Sequence, residues 1–333
     1  MSRIRIVYFG TPAYAVPALE AVANEERFAV ALVVTQPDRP AGRGHRLAPP
    51  PVKEAALALG LPVYQPASLR TVEARQPLLD ADADLFIVAA FGLIFGEKTL
   101  AIPRRGAVNL HASLLPAYRG ANPIAAAIAS GEAETGVSLM VMERGLDSGP
   151  VIAARSLPIE DDDTTASLTD KLGRLGAALL IDEIGGFVDG TIQPVPQPEA
   201  GVTFPRPMRK SDGEVDWTAP AAVVERHVRA MWPWPRAWSR LGDQVVQIHA
   251  AAVASLEVDA PAGTIIVAQG SPHVACGDGA LVIRRVQFPG RAAIEARAAI
   301  SSRQLSEGMR FDSAPENRES LVIGAMTGSS TNA

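Results

Sequence analysis

Through the first half of the chain, apolar runs of strand length alternate with longer segments whose apolar residues recur at helical spacing. Residues 4–9, 28–35, 83–90 and 106–111 are short and largely apolar and predict strands, the first of them ending at Gly10. Residues 13–23, 52–59, 123–130 and 165–188 predict helices. Strands that are apolar throughout need cover on both faces. The alternation therefore predicts an α/β fold with a Rossmann-like, mostly parallel sheet between layers of helices. Residues 137–142 and 151–158 predict two later strands flanking a glycine-rich loop that contains Asp147.

The pattern changes after Gly190. Five prolines (Pro194, Pro196, Pro198, Pro205 and Pro207) crowd residues 191–208, which predicts a stiff, extended linker. Beyond it, residues 219–231 predict one helix. Runs near 236–241, 244–253, 263–268, 273–276 and 280–288 then alternate with glycine turns, the spacing of a small antiparallel β-barrel. A chain of 333 residues suits two domains. We divide it into an α/β domain over 1–190, the linker over 191–208, a barrel domain over 209–312 and a tail over 313–333 whose polar end predicts disorder. The four tryptophans all lie at the start of the second domain, where packing in its core or at its junction with the linker is expected.

Composition narrows the function classes. The chain is 47% hydrophobic and 20% charged, with ample material for a core. No apolar run reaches the roughly 18 residues of a membrane span, and the N-terminus leads into a strand without a signal-peptide pattern, so we expect a cytoplasmic protein without a membrane partner. A single cysteine, Cys276, excludes an internal disulfide framework and reads as a buried small hydrophobe. Five scattered histidines without ligand spacing predict no metal. The net charge of −5 argues against indiscriminate nucleic-acid binding but not against local recognition, because placement matters more than the sum.

The candidate chemistry lies between Asn109 and Gly149. Alternate residues of a strand share a face, so Asn109, His111 and Ser113 are expected to project together. The Asn109 amide suits stabilisation of an oxyanion, the His111 imidazole suits proton transfer, and the Asp147 carboxylate suits orienting and charging that imidazole. A satisfied polar pair is the plainer alternative for Asn-x-His on a strand. The turn Gly10-Thr11-Pro12 stands where a dinucleotide fingerprint would, but it lacks the further glycines, and Pro12 removes a backbone donor. Residues 36–46 form a long polar loop carrying Arg39, Arg43 and Arg46, which reads equally as a solvated surface loop or as an arm contacting phosphates.

Taken together, these segments resemble the methionyl-tRNA formyltransferase family. The likeness rests on Phe9-Gly10-Thr11-Pro12 with Val16-Pro17-Ala18-Leu19, and on the 35–53 block. It continues through residues 109–116 with Arg119-Gly120, then Glu134-Thr135-Gly136-Val137, and Gly145-Leu146-Asp147-Ser148-Gly149. Val215-Asp216-Trp217 and Pro233-Trp234-Pro235 are similar to the second domain of the same family. The core motifs alone name only folate-dependent formyltransferases, and the arm and second domain narrow the likeness to the tRNA enzymes.

The resemblance implies a formyltransferase domain, a linker and an OB-like barrel that binds tRNA. It implies 10-formyltetrahydrofolate as formyl donor, initiator Met-tRNA as acceptor, and a monomer that needs no metal. It assigns catalysis to Asn109, His111 and Asp147, and folate binding to Ser113, Leu114, Leu115 and Pro116 with Phe91, Gly92, Leu93 and Ile94. It assigns tRNA contacts to Arg39, Arg43, Arg46, Arg206, Arg209 and Lys210, with Arg284, Arg285 and Arg291 extending them on the barrel. Three alternatives stay open: a formyltransferase acting on an amino sugar nucleotide or another small amine, a folate-dependent hydrolase, and a non-catalytic tRNA-binding protein. The first two would not need the arginine arm and the barrel, and the third would not need the intact Asn-His-Asp set.

Overall fold

The computed structural model describes residues 3–41, 46–315 and 319–323. These fold into two compact units. The first comprises the described residues up to Gly120 together with 134–158 and 169–204. The second comprises 121–133, 159–168 and the described residues from 205 onward.

The first unit is built on a seven-stranded sheet. In chain order its elements are β1 (Ile4–Gly10), α1 (Val16–Asn24), β2 (Phe28–Val34), the short pair β3 (Arg39–Ala41) and β4 (Arg46–Ala48), α2 (Pro51–Ala58), β5 (Val63–Tyr64), α3 (Val72–Asp80), β6 (Leu85–Ala89), α4 (Glu97–Leu100) and β7 (Ala107–His111). Beyond α5 (Pro123–Ser130), which belongs to the second unit, come β8 (Glu134–Val141), β9 (Val151–Pro158) and α6 (Thr165–Val188), the last belonging to the first unit from Thr169 onward. The sheet order is β5-β2-β1-β6-β7-β8-β9. β1, β2, β5, β6 and β7 pair in parallel, whereas β7–β8 and β8–β9 are antiparallel, so the sheet is mostly parallel as expected. Strand order reverses at β1 and β6. In sheets of this kind ligands bind outside the carboxyl ends of the strands at such a switch point.

That end of the sheet is stiffened by aromatic packing. Phe9 at the end of β1 meets Phe86, Phe91 and Phe95, with ring centroids 4.9–5.3 Å apart. Phe91 belongs to the buried core and Leu93 packs against it, while Ile94 is 86% exposed. Phe91, assigned to folate binding by the resemblance, has its ring in the core, so what it offers near the crevice is backbone. Its carbonyl oxygen accepts from Thr11 Oγ1 (3.0 Å) and Gln36 Nε2 (2.8 Å). The turn after β1 and the segment after β2 are thereby tied to the segment after β6.

Several elements were not legible beforehand. β5, α3 and α4 are short or weakly amphipathic, and Pro77 sits inside α3. The arm read as a loop instead begins and ends as an antiparallel pair, Arg39 opposite Ala48 and Ala41 opposite Arg46.

After β10 (Phe204–Pro205), the second unit contains α7 (Ala221–Ala230), β11 (Ala237–Leu241), β12 (Gln244–Ala254), β13 (Ile265–Ala268), β14 (Ser271–Ala275), β15 (Ala280–Gln287), β16 (Ile294–Glu295) and α8 (Ala296–Ser301). The strands form one antiparallel sheet in the order β11-β12-β15-β14-β13, with β16 on β15. The segment after α8 joins its two edges. Phe311 N–H donates to Gly263 O and Ile265 N–H to Met309 O beside β13, while Asp312 N–H donates to Arg240 O on β11. Backbone groups that would be left unpaired at both edges are therefore satisfied. Trp217 fills the interior, fully buried, stacked on Phe311 at 5.5 Å and donating from Nε1 to Ser239 Oγ. The other tryptophans differ: Trp232 lies against His249 and Arg236, Trp238 Nε1 donates to Lys210 O, and Trp234 is 56% exposed. Cys276 is buried, and burial pushes its thiol up to about 12, as suits an inert packing residue.

The tail expected to be disordered from Ser313 has placed residues in it. Ala314 N–H donates to Val215 O, and residues 319–321 return to Arg206, whose guanidinium donates to the Ser320 and Glu319 carbonyls. Residues 324–333 lie outside the described residues. The same contacts occupy Arg206, which the resemblance assigned to tRNA. It is only 7% exposed, and its fork makes two 2.8 Å bonds to the buried Asp212 carboxylate. Hydrogen bonding to Asp212 raises the guanidinium pKa further and keeps it charged. Removing one partner of a buried ion pair strands the other charge. Arg206→Ala should therefore cost about 3–5 kcal/mol of stability in denaturant unfolding, and Arg206→Met with Asp212→Leu markedly less. A change below about 0.5 kcal/mol, the usual effect of a surface substitution, would contradict the structural role.

Candidate active site

β7 runs to the crevice end of the sheet between β6 and β8, and its last residues carry the polar groups. Asn109 opposes Val88 of β6 and Met140 of β8, and His111 opposes Ser138. Two residues apart on one strand, they share a face and are both buried, at 9% and 6% exposure. Such polar groups are tolerated inside only when partnered, and their partners define the site.

His111 Nε2 lies 2.8 Å from the Tyr118 carbonyl, which can only accept, so this nitrogen carries the hydrogen. The other ring nitrogen, Nδ1, faces Asp147 Oδ2 at 3.5 Å. Asn109 Nδ2 lies 3.4 Å from Asp147 Oδ1. Gly120 N–H donates to Asp147 Oδ2 at 2.8 Å. The three residues expected to act together are thus brought together across 38 positions of sequence. The carboxylate sits where it can accept from the amide, from Gly120 and from a proton on His111.

Backbone conformation makes this possible. Asp147 has φ +48° and Tyr118 φ +58°, left-handed values that side chains other than glycine adopt at a cost of about 1–2 kcal/mol. Asp is among the residues that tolerate it. Gly120 (φ +92°) and Gly145 (φ +140°) occupy conformations open to glycine. Gly149 serves a different need, since a Cβ there would collide with the Val141 carbonyl.

Ser113 is buried beyond the end of β7, and its hydroxyl donates to Ala117 O at 2.6 Å. Ser138 Oγ donates to the Ser113 carbonyl and accepts from Leu115 N–H at 3.1 Å. These bonds shape the 113–117 turn, which leaves Leu114, Leu115 and Pro116 half-buried at the site's edge. A Cβ on Gly136 would strike Leu114 and the Arg155 carbonyl, which fixes how closely β8 approaches that turn. The other proposed folate segment is split. Gly92 (φ +84°) and exposed Ile94 can face a ligand, whereas the rings of Phe91 and Phe95 and part of Leu93 belong to the core.

Three residues beside this group were given no role by the sequence reading, Arg119 entering it only as part of a motif. Arg119 Nε and Nη2 donate to Gln197 Oε1 at 3.0 and 2.8 Å. Gln197 Nε2 in turn donates to the carbonyls of Asp147 (2.8 Å) and Gly149 (2.7 Å). Thr203 Oγ1 accepts from Tyr118 N–H and its carbonyl from Arg119 N–H. A glutamine and a threonine in a proline-rich stretch carry no local signal of such contacts. The linker over 191–204 is in fact laid along the first unit, with Val195 bridging Val151.

Of the residues assigned to tRNA, Arg39 donates to Gln36 Oε1, Arg209 pairs with Glu319 at 3.0 Å while remaining largely exposed, and Lys210 is exposed. Lys53 is taken up by Asp38, two 2.8 Å contacts that fix the root of the arm. Arg43 and the side chain of Arg46 lie outside the described residues. Arg284, Arg285 and Arg291 are placed on or beside β15, with Arg285 3.9 Å from Glu295. Among the described residues no group of three or more His, Cys, Asp or Glu could hold a metal ion, and no helix is long and apolar enough to cross a membrane.

Comparison with known proteins places this geometry. The family model for formyl transferase matches residues 2–184, and that for the formyl transferase C-terminal domain matches 207–304. The methionyl-tRNA formyltransferase of Methylococcus capsulatus is 46% identical over 303 residues, spanning 91% of this chain and 98% of that protein. Its counterpart in Stenotrophomonas maltophilia is 47% identical over 304 residues, spanning 90% and 98%. Among solved structures, a sugar 3N-formyl transferase crystallised with dTDP and 5-N-formyl-THF superposes with TM-score 0.63 at 16% identity, over 88% of this chain and 100% of that one. An N-formyltransferase from Helicobacter canadensis gives TM-score 0.63 at 17% identity, over 86% and 99%. These distant structures establish the fold, and the closer relatives establish more: the chain belongs to the formyl transferase family and, within it, to the methionyl-tRNA formyltransferases.

Proposed function

We propose that this chain transfers the formyl group of 10-formyltetrahydrofolate to the α-amino group of methionine on initiator tRNA, acting as a monomer in the cytoplasm. The observation that carries the reading is the convergence of Asn109, His111 and Asp147 at the end of β7. That convergence occurs in a chain nearly half identical to methionyl-tRNA formyltransferases along almost its whole length.

The chemistry follows from what each group can donate or accept. The neutral amine attacks the formyl carbon, a C–N bond forms and the carbonyl oxygen becomes an oxyanion. Asn109 has one amide hydrogen directed at Asp147 and another to give to that oxygen. His111, when Nδ1 binds a proton, adds positive charge beside it, and Asp147 stabilises that charge from 3.5 Å. The amine nitrogen must then lose a proton and the folate nitrogen must gain one before it departs. Asp147 and His111 relay it through a water. Collapse of the oxyanion breaks the bond to folate and leaves formyl-methionyl-tRNA and tetrahydrofolate. No enzyme nucleophile is needed, and Ser113 is occupied with Ala117.

Folate is assigned to the crevice between the 113–116 turn and the 91–94 segment. Main-chain groups and the Leu114 and Ile94 side chains would hold a flat pterin there. The acceptor tRNA is assigned to the arm at 36–46 and to the exposed Arg209 and Lys210 on the second unit.

Asn109→Ala and Asp147→Ala should each lower kcat at least ~10²-fold in a formylation assay, by analogy with removal of a single oxyanion-hole donor. The affinity for tRNA should stay within about two-fold. Turnover near that of the unmodified protein would remove these residues from the chemistry. Affinity for methionyl initiator tRNA should also fall steeply between 50 and 200 mM salt despite the net charge of −5. Arg43→Ala should raise KM for tRNA without altering KM for the folate. A salt-independent affinity, or an equal rise in both KM values, would contradict phosphate contacts by the arm.

A further inference from the structure

Asp147 does its work from a backbone conformation that needs holding. Its φ of +48° turns the carboxylate back toward β7, and the loop around it contributes glycines on both sides, which resist deformation poorly. The only side-chain bonds to its backbone among the described residues come from Gln197, in the linker. The amide orientation there is unambiguous. Arg119 can only donate, so Oε1 faces it, and the Asp147 and Gly149 carbonyls can only accept, so Nε2 faces them. Both hydrogens and both lone pairs of one side chain are thereby used.

The contacts close a ring. Gly120 N–H binds the Asp147 carboxylate, the preceding Arg119 grips Gln197, and Gln197 grips the carbonyls of Asp147 and Gly149. The next residue back, Tyr118, presents its carbonyl to His111. Thr203 pins residues 118 and 119 through two further bonds of 2.8 and 2.9 Å. One short stretch, 118–120, therefore sets both the imidazole and the carboxylate, and Gln197 locks it to the loop that supplies the carboxylate.

We propose that Gln197, gripped by Arg119, is a positioning residue that holds Asp147 in register with His111 and Asn109. Its catalytic consequence rests on the formyl-transfer reading; its structural consequence does not. Gln197 touches none of the reacting atoms and acts through the loop. Misplacement of a catalytic group by about 1 Å is enough to cost on the order of 10²-fold in rate.

The test uses the full-length protein and two substitutions that separate the two halves of the amide. Gln197→Leu removes both. Gln197→Glu keeps the acceptor for Arg119 but replaces the donor with an oxygen facing two carbonyls. Both should lower kcat for formylation about 10- to 100-fold, with KM for folate and tRNA within about two-fold and thermal unfolding close to that of the unmodified protein. Arg119→Lys, which retains one donor, should lose less than Gln197→Leu. In parallel, hydrogen exchange of the Gly120 amide should quicken at least ten-fold in both Gln197 variants, a readout independent of activity. Glu functioning as well as Gln, or a loss confined to KM or to stability, would overturn the proposal. So would a fall in kcat with unchanged Gly120 protection. If the unmodified protein formylates no Met-tRNA while Gly120 protection still falls in the variants, the functional reading fails and the positioning role stands.

Discussion

Everything at the site depends on keeping one carboxylate inward. Asp147 reaches from a loop between two antiparallel strands to the end of a central strand, and it meets Gly120 N–H, His111 and Asn109 there. A carboxylate in a crevice is stable only where donors meet it, and two of the groups that meet it are the side chains proposed above to carry the chemistry. The same contacts that satisfy the charge also aim the imidazole and the amide. In the proposed mechanism, structural satisfaction and catalytic arrangement share one set of bonds.

The fold supplies the rigidity this needs. β7 is paired on both sides, so Asn109 cannot move without disturbing β6 and β8, nor His111 without disturbing β8. The aromatic cluster around Phe9, and the bonds from Thr11 and Gln36 to the Phe91 carbonyl, fasten the neighbouring strand ends. In the second unit the buried Arg206–Asp212 pair and stacked Trp217 do comparable work, organising interior polar and aromatic groups around which the tail segment folds back. Basic character alone is a poor guide to surface exposure here. Of two arginines three positions apart, Arg206 is interior and Arg209 is on the surface.

Much of this was legible before any coordinates, for identifiable reasons. Apolar strands announce a covered parallel sheet, and the bounds of α5, α6 and β9 follow directly from their periodicity. Asn109 and His111 were readable as neighbours because strand geometry is local. Asp147 was readable as a chemical complement to them and by motif resemblance, but not from local geometry, since nothing local links residues 38 apart. What remained hidden is long-range or weakly patterned. Gln197 and Thr203 look like ordinary linker residues until the linker is seen lying against the first unit. Phe91 was assigned to the folate site by the resemblance alone, and only its partners Phe9 and Phe95 show that its ring packs in the core. The tail composition suggested disorder, yet its carbonyls at 319 and 320 accept from the buried Arg206 guanidinium and that of Leu321 from the Arg206 backbone N–H.

The most direct measurement is of the product. The purified protein is incubated with 10-formyltetrahydrofolate and an equimolar mixture of methionyl initiator tRNA and an amino sugar nucleotide, and both acceptors are analysed by mass spectrometry. The account predicts formyl-methionine released from the tRNA after deacylation and an unmodified sugar nucleotide. Formate released to water without a formylated acceptor, or formyl transfer to the sugar amine, would contradict it.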